Sequence, residues 1–296
     1  MSTGVVGQEL VRGSLTTVFS DSFLEVNPLD IVSAIKSDGY FCFEKALTEE
    51  FIENIESDVK RNRFRTNKNG ISGAYTESQY FLTNMLACSK SFFDYCTDQK
   101  VLDVCQSFMG NFFRLKTLRY YETYGSMRMM WHTDSKNSLG FDTITGLIFI
   151  AYISDVYDGE FQYIQGSHEY SMNAKKNDFD ESFVKENLQD KIKSFKMPKG
   201  SVIIYNTHGI HRAKPAENSN FVRKSLFFQV DSNDRSEPIL INTSYFNKFD
   251  EIIKMYLGFG RDGSNISFPQ TDESTIPDFE LSNLIVNSKR MPVYGG

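Results

Sequence analysis

The chain has 296 residues, enough for one large domain or two small ones. With 40% hydrophobic and 14% aromatic residues it can bury a sizeable core, which excludes a disordered protein. Its 32 basic and 38 acidic residues leave a net charge of -6, an argument against a nucleic-acid partner, since phosphate binding leaves a basic footprint.

Residues 1–25 read as an arm, and Met1 to Phe19 lacks the apolar core of a secretory signal. Asn27-Pro28 opens a helix through Lys36, because proline is tolerated in a first helical turn. Gly39 ends it, and Tyr40 to Phe43 reads as a short strand. Thr48 can cap a second helix in which Phe51, Ile52, Ile55 and Val59 share one face. Two further helices are expected around residues 84–96 and 100–109. From Phe112 the period changes. Short β-rich runs at 113–121, 143–153, 160–164, 201–206 and 225–230 are separated by Gly, Asn, Asp and Ser clusters, as in an antiparallel sandwich or barrel. The charged segment 178–193 reads as a helical or irregular insertion. A last helix over 246–257 stops at Gly258 and Gly260, and loops follow to Pro277.

The longest apolar run, Leu147 to Ile153, suits a buried strand and is far too short to cross a bilayer. Cys42, Cys88, Cys96 and Cys105 have neither metal-site nor redox spacing and read as reduced core thiols of a cytoplasmic protein. The expected plan is α+β with a mainly β core: a double-stranded β-helix (jelly roll) surrounded by helices. It forms one domain with an arm at 1–25, helical support at 26–111, the jelly-roll core at 112–231 and a C-terminal helix with loops at 232–296.

All four histidines lie between 132 and 211. In His132-Thr133-Asp134 two potential ligands stand two residues apart, so on an extended segment both point to the same face. Alone, such a pair is weak, and a core histidine beside a surface carboxylate is the default. The context changes this. Gly200-Ser201-Val202-Ile203-Ile204-Tyr205 is a turn and an apolar strand that delivers Thr207-His208-Gly209-Ile210-His211-Arg212-Ala213, and Arg223-Lys224-Ser225 starts another strand. An imidazole, a carboxylate and a second, distant imidazole form the facial ligand set of non-haem iron(II) oxygenases. Three open positions then serve a bidentate 2-oxo acid and O2. Arg223 can grip the distal carboxylate of 2-oxoglutarate through bidentate, charge-assisted bonds, and Ser225, two along on the same face, can add another.

Residues 132–134, the run Gly159-Glu160-Phe161-Gln162-Tyr163-Ile164-Gln165-Gly166-Ser167-His168, and residues 200–226 resemble the phytanoyl-CoA dioxygenase (PhyH-like) family of Fe(II)/2-oxoglutarate oxygenases. The N-terminal stretch Ile35 to Ile55 resembles that family's entry segment, and the likeness spans roughly residues 28–232. It implies a cupin-like jelly roll, His132, Asp134 and His211 as iron ligands, and Arg223 as the 2-oxoglutarate arginine. His208 competes with His211 as the third ligand, and the family pattern favours His211. A polar residue on the strand before the iron motif contacts the cosubstrate in this family, which makes Tyr120 a candidate. The implied reaction is oxidation, most simply hydroxylation, of a C–H bond of a small molecule, with release of succinate and CO2. The same chemistry can end in ring closure, desaturation or epimerisation. Asp134 occupies the position that halogenases of this kind leave to a small residue, so halogenation is not expected. A jelly-roll binding protein with a vestigial site is the rival from another class, and the intact ligand set argues against it.

Overall fold

Helix ends in this chain follow from local chemistry. The computed structural model describes residues 17–63, 73–75, 79–82, 85–125, 129–134, 145–169, 178–218, 220–232, 240–242, 245, 251–257 and 284–286. A short helix α1 (Asp21–Leu24) precedes α2 (Pro28–Asp38), where Asn27 Oδ1 accepts from the Leu29 N–H and Gly39 closes the helix at a φ of 92°. That left-handed conformation suits glycine. Thr48 Oγ1 accepts from the Phe51 N–H to start α3 (Glu49–Asn62), whose Phe51, Ile52, Ile55 and Val59 are buried. The helix expected around 84–96 is two: α4 (Met85–Cys88) and α5 (Lys90–Thr97). Ser89 separates them and caps the second by accepting from the Phe92 N–H. Next comes α6 (Gln99–Met109). Of the helix expected over 246–257, the described part is α8 (Glu251–Tyr256), which follows α7 (Glu181–Asn187) in chain order.

The strands are β1 (Tyr40–Phe43), β2 (Gly73–Tyr75), β3 (Gln79–Leu82), β4 (Arg114–Tyr124), β5 (Trp131–His132), β6 (Gly146–Tyr152) and β7 (Val156–Ile164). They continue with β8 (Asp178–Phe179), β9 (Ile192–Met197), β10 (Val202–Asn206), β11 (His211–Ala213), β12 (Val222–Asp231), β13 (Leu240–Asn242) and β14 (Leu284–Val286). A seven-stranded sheet runs β1-β10-β6-β12-β4-β3-β2, a five-stranded sheet runs β8-β5-β11-β7-β9, and β13 pairs with β14. The paired strands are antiparallel. Two facing antiparallel sheets with helices outside make the jelly roll expected from sequence.

The larger sheet is buried on both faces, which is why β6 is an unbroken apolar run. Leu147, Phe149 and Ala151 join Leu226, Phe228 and the helices in the outer core. Ile148, Ile150 and Tyr152 point the other way, toward Phe161, Tyr163, Tyr205 and Phe227 between the sheets. The outer core centres on Phe228, stacked on Phe149 at 4.6 Å between ring centroids and met edge-on by Tyr95 at 5.2 Å.

Three features differ from the sequence reading. The last part of the arm is not peripheral, because Val18, Phe19 and Phe23 lie in the outer core and Phe19 bridges to Leu47. The stretch expected only to supply helices and β1 also supplies β2 and β3, which widen the larger sheet beyond β4. Within the charged segment 178–193, β8 and α7 are followed by β9, which forms an edge of the smaller sheet. Ser194 and Lys196 are its exposed positions and Lys193 is half-buried, so its apolar period is weak. Phe228→Ala should remove the stacked ring from a site with little room to collapse, costing about 3–5 kcal/mol in denaturant unfolding.

Candidate metal centre

The smaller sheet sets the centre. His211 of β11 stands directly opposite His132 of β5, and Trp131 pairs with Phe179 of β8. Alternation sends the two histidines to the inner face and Trp131 and Arg212 to the outer face. Asp134 lies just past the end of β5, where its backbone N–H donates to the Thr207 carbonyl at 3.0 Å. His132 Nε2 is 3.6 Å from Asp134 Oδ1, and His211 Nε2 is 3.0 Å from Asp134 Oδ2. The three ligand atoms all lie within 4.8 Å of one another. Neighbouring ligands of one ion, each at about 2.1 Å, stand about 3 Å apart, so these separations suit one shared ion.

Both rings present the correct nitrogen. His132 Nδ1 meets the Met130 carbonyl at 2.8 Å, and His211 Nδ1 meets the Gly209 carbonyl at 3.0 Å. A carbonyl only accepts, so each Nδ1 carries the proton and each Nε2 the lone pair that a metal needs. Burial works to raise the pKa of Asp134, but Arg119 and, when protonated in the absence of metal, the neighbouring His211 and His132 outweigh it. The carboxyl is held well below the usual carboxylate range. The histidine of β11 is nearly sealed, with 4% of its side chain exposed, against 22% for His132 and 26% for Asp134. The centre therefore opens on the side of His132 and Asp134.

Arg223 and Ser225 sit on β12 on the same face as Phe227, whose ring belongs to the cluster between the sheets. The Arg223 guanidinium is buried. It donates to the Gly159 carbonyl and, at 3.2 Å, to Thr123 Oγ1, while its Nε has no partner among the described residues. Ser225 Oγ is also buried and without a partner among them. Lys224, between the two, points away and pairs with Glu56 of α3 at 2.9 Å.

Tyr120 does not join the site. Its side chain lies in the outer core against Tyr80, and its hydroxyl donates to Glu122 Oε1 at 2.8 Å. The strand's other face, with Arg119, Tyr121 and Thr123, looks inward, so the sequence reading chose the wrong parity. Arg119 was missed. Its guanidinium lies 4.4 Å from the Phe227 ring centroid, its charge acts on Asp134, and its buried Nε has no partner among the described residues. The register of β4 against β12, which sets Arg119 opposite Phe227, is what sorts the two faces. Tyr205 was also missed: its hydroxyl touches Asp134 and His211, two of the three candidate ligand side chains.

The remaining histidines lie outside the three-residue cluster. His168 bonds the Lys36 carbonyl at 3.0 Å, and His208 occupies the turn after β10, where its N–H donates to Asn206 Oδ1. Gln165, standing where the family pattern has proline, donates its backbone N–H to Lys191 and its side-chain amide to Asp38. A proline could not make the first of these bonds. All four cysteines are free thiols.

Jelly roll and ligand cluster together define a non-haem iron, 2-oxoglutarate-dependent oxygenase. The chain belongs to the phytanoyl-CoA dioxygenase (PhyH) family, whose sequence model matches residues 35–225. No curated protein matches it in a sequence search. Among solved structures, EctD from S. alaskensis with bound Fe has a TM-score of 0.58 at 16% identity, over 70% of this chain and 76% of that one. The carbocyclase SnoK from nogalamycin biosynthesis reaches 0.55 at 13% identity, over 74% and 87%. HygX from Streptomyces hygroscopicus, with nickel, 2-oxoglutarate and hygromycin B bound, reaches 0.54 at 14% identity, over 68% and 86%. At such identities these structures establish the fold. Among the described residues, no helix is long and apolar enough to cross a membrane.

His211→Ala should abolish tight Mn(II) binding in calorimetry, whereas His208→Ala should leave it within a few-fold of the parent. The opposite pair of results would mean that the β11 register is wrong.

Proposed function

We propose that this oxygenase holds iron(II) through His132 Nε2, the Asp134 carboxylate and His211 Nε2, and binds 2-oxoglutarate with its distal carboxylate on Arg223 and Ser225. The observation that carries the second half is the pair of orphaned polar atoms, Arg223 Nε and Ser225 Oγ, buried on the inner face of β12. Buried donors without partners are costly, and these two stand at alternate positions of one strand on one face, an arrangement that suits a shared acceptor. Arg223 supplies charge and a planar fork, and Ser225 supplies a hydroxyl on the same side. Arg119 adds a second positive charge facing Asp134, which favours a dianionic cosubstrate over a neutral one.

Bound iron(II) with O2 supplies the oxidative decarboxylation of 2-oxoglutarate and the oxidation of a substrate C–H bond. The chain orients and seals. The Met130 and Gly209 carbonyls fix the two imidazoles in the metal-binding tautomer. Ionised Asp134 contributes the third ligand and one negative charge. The rings of Tyr152, Phe161 and Phe227 line the space between the sheets and keep it dry. The Gly159 carbonyl and Thr123 hydroxyl hold the Arg223 guanidinium, so little side-chain freedom is lost when a carboxylate arrives. The substrate is a small molecule that approaches from the open side of His132 and Asp134; the similar structures of HygX with hygromycin B and of the epimerase SnoN with nogalamycin RO hold small molecules. Hydroxylation is the simplest outcome.

Anaerobic titration of 2-oxoglutarate into the iron-loaded protein should show one-site binding, and exposure to O2 should then yield succinate in proportion to iron. Folded protein that takes up neither iron nor 2-oxoglutarate would overturn the reading and favour a non-enzymatic binding role. Product mass then separates hydroxylation, a gain of one oxygen, from ring closure or desaturation, a loss of two hydrogens. Epimerisation leaves the mass unchanged and is read by stereochemical analysis. Arg223→Lys keeps the charge but loses the fork. It should weaken 2-oxoglutarate binding by roughly 10- to 100-fold, the equivalent of one charged hydrogen bond, and leave metal affinity unchanged.

A further inference from the structure

We infer that Tyr205 is a positioning residue whose hydroxyl holds the Asp134 carboxylate in the orientation that lets it share a metal ion with both histidines. The inference rests on the reading of His132, Asp134 and His211 as the metal ligands. It concerns a residue of the opposite sheet, on β10, whose side chain crosses the interior to reach them.

Three observations carry it. The Tyr205 hydroxyl lies 3.2 Å from Asp134 Oδ2 and 3.3 Å from His211 Nε2, so it touches two of the three candidate ligand side chains. The ring itself has no freedom. It is 1% exposed, packed between Phe161 at 4.8 Å and Tyr163 at 5.8 Å, and in contact with the His211 ring at 4.8 Å. A hydroxyl at the tip of a locked ring is a fixed point, which is what a supporting group around a metal site must be. Finally, Asp134 stands beyond the end of its two-residue strand, tied to the Thr207 carbonyl by its own backbone N–H. That bond fixes the backbone and leaves the side-chain torsions open, and the tyrosine closes them.

The hydrogen-bond inventory gives the hydroxyl one proton to donate. Asp134 Oδ2 is an acceptor within its reach. His211 Nδ1 donates to Gly209, so a metal ion would take the Nε2 lone pair and leave the carboxylate oxygen as the acceptor for the tyrosine proton. The bond then holds Asp134 in place for the ion. Partners of this kind around metal ligands are worth roughly 10- to 100-fold in metal affinity. Tyr163 makes a matched comparison. It is another fully buried tyrosine in the same cluster, but its hydroxyl bonds the Asn206 carbonyl and not a ligand.

The test is Mn(II) affinity by calorimetry on the parent, Tyr205→Phe and Tyr163→Phe, with thermal unfolding in chelator as the check on folding. Tyr205→Phe should bind Mn(II) about tenfold more weakly, and Tyr163→Phe within twofold of the parent. The visible spectrum of the Co(II)-loaded protein should change in Tyr205→Phe alone, because it reports the ligand geometry directly, even if that variant has lost some stability. Parent-like affinity and an unchanged Co(II) spectrum in Tyr205→Phe would overturn the role of Tyr205 and leave the ligand assignment standing. A parent protein that binds no Mn(II) would overturn the ligand assignment itself.

Discussion

The antiparallel pairing of β5 with β11 is the constraint on which the centre depends. It sets His132 opposite His211 across a strand of only two residues. So short a strand has little ladder of its own, and its hold comes from the outer face. There Arg212 lies over the Trp131 ring at 4.1 Å, and Glu181 of α7 accepts from the Trp131 indole at 3.0 Å and from the Arg212 guanidinium. Because side chains alternate, this clamp of Trp131, Arg212 and Glu181 fixes the backbone whose other face carries the two histidines. A stacked cation with a shared carboxylate is a stiff arrangement. The candidate metal centre is thus supported from behind by Trp131, Arg212 and Glu181, which lie outside the three-residue cluster.

Across the interior the larger sheet meets different demands. Its outer face packs helices onto an aromatic core, while its inner face presents apolar rings with a few polar groups among them. Those polar groups are of two kinds. Some are satisfied, such as the Tyr152 hydroxyl, which donates to the Phe195 carbonyl and accepts from the Phe161 N–H. Others keep an atom without a partner among the described residues: Arg119, Arg223 and Ser225. These three lie on β4 and β12, on the face turned toward the space between the sheets.

Much of the fold could be read directly. Helix caps at Asn27 and Thr48, the stop at Gly39 and the apolar run of β6 depend on neighbours in sequence, so the residues themselves carry them. β9 was hidden because its apolar side chains alternate with lysine and serine. β2 and β3 were hidden because β3 gains stability from pairing with β4, and β2 from pairing with β3, rather than from a pattern of their own. The helix at 84–96 was broken by Ser89, whose preference for capping outweighs its tolerance of a helix interior.

For the site, the sequence by itself determined the chemistry: two imidazoles, a carboxylate two residues from one of them, and an arginine and a serine at alternate positions of one strand. These are properties of residue type and local spacing. Only the tertiary structure decided geometry. It chose His211 over His208 for the cluster, because β11 begins at His211 and pairs it with His132, whereas His208 falls in the preceding turn. It turned Tyr120 outward and Arg119 inward, since strand alternation defines two faces but not which one meets the interior. It also brought Tyr205 from the opposite sheet to Asp134, a contact that no local pattern encodes because it exists only once the two sheets have packed face to face.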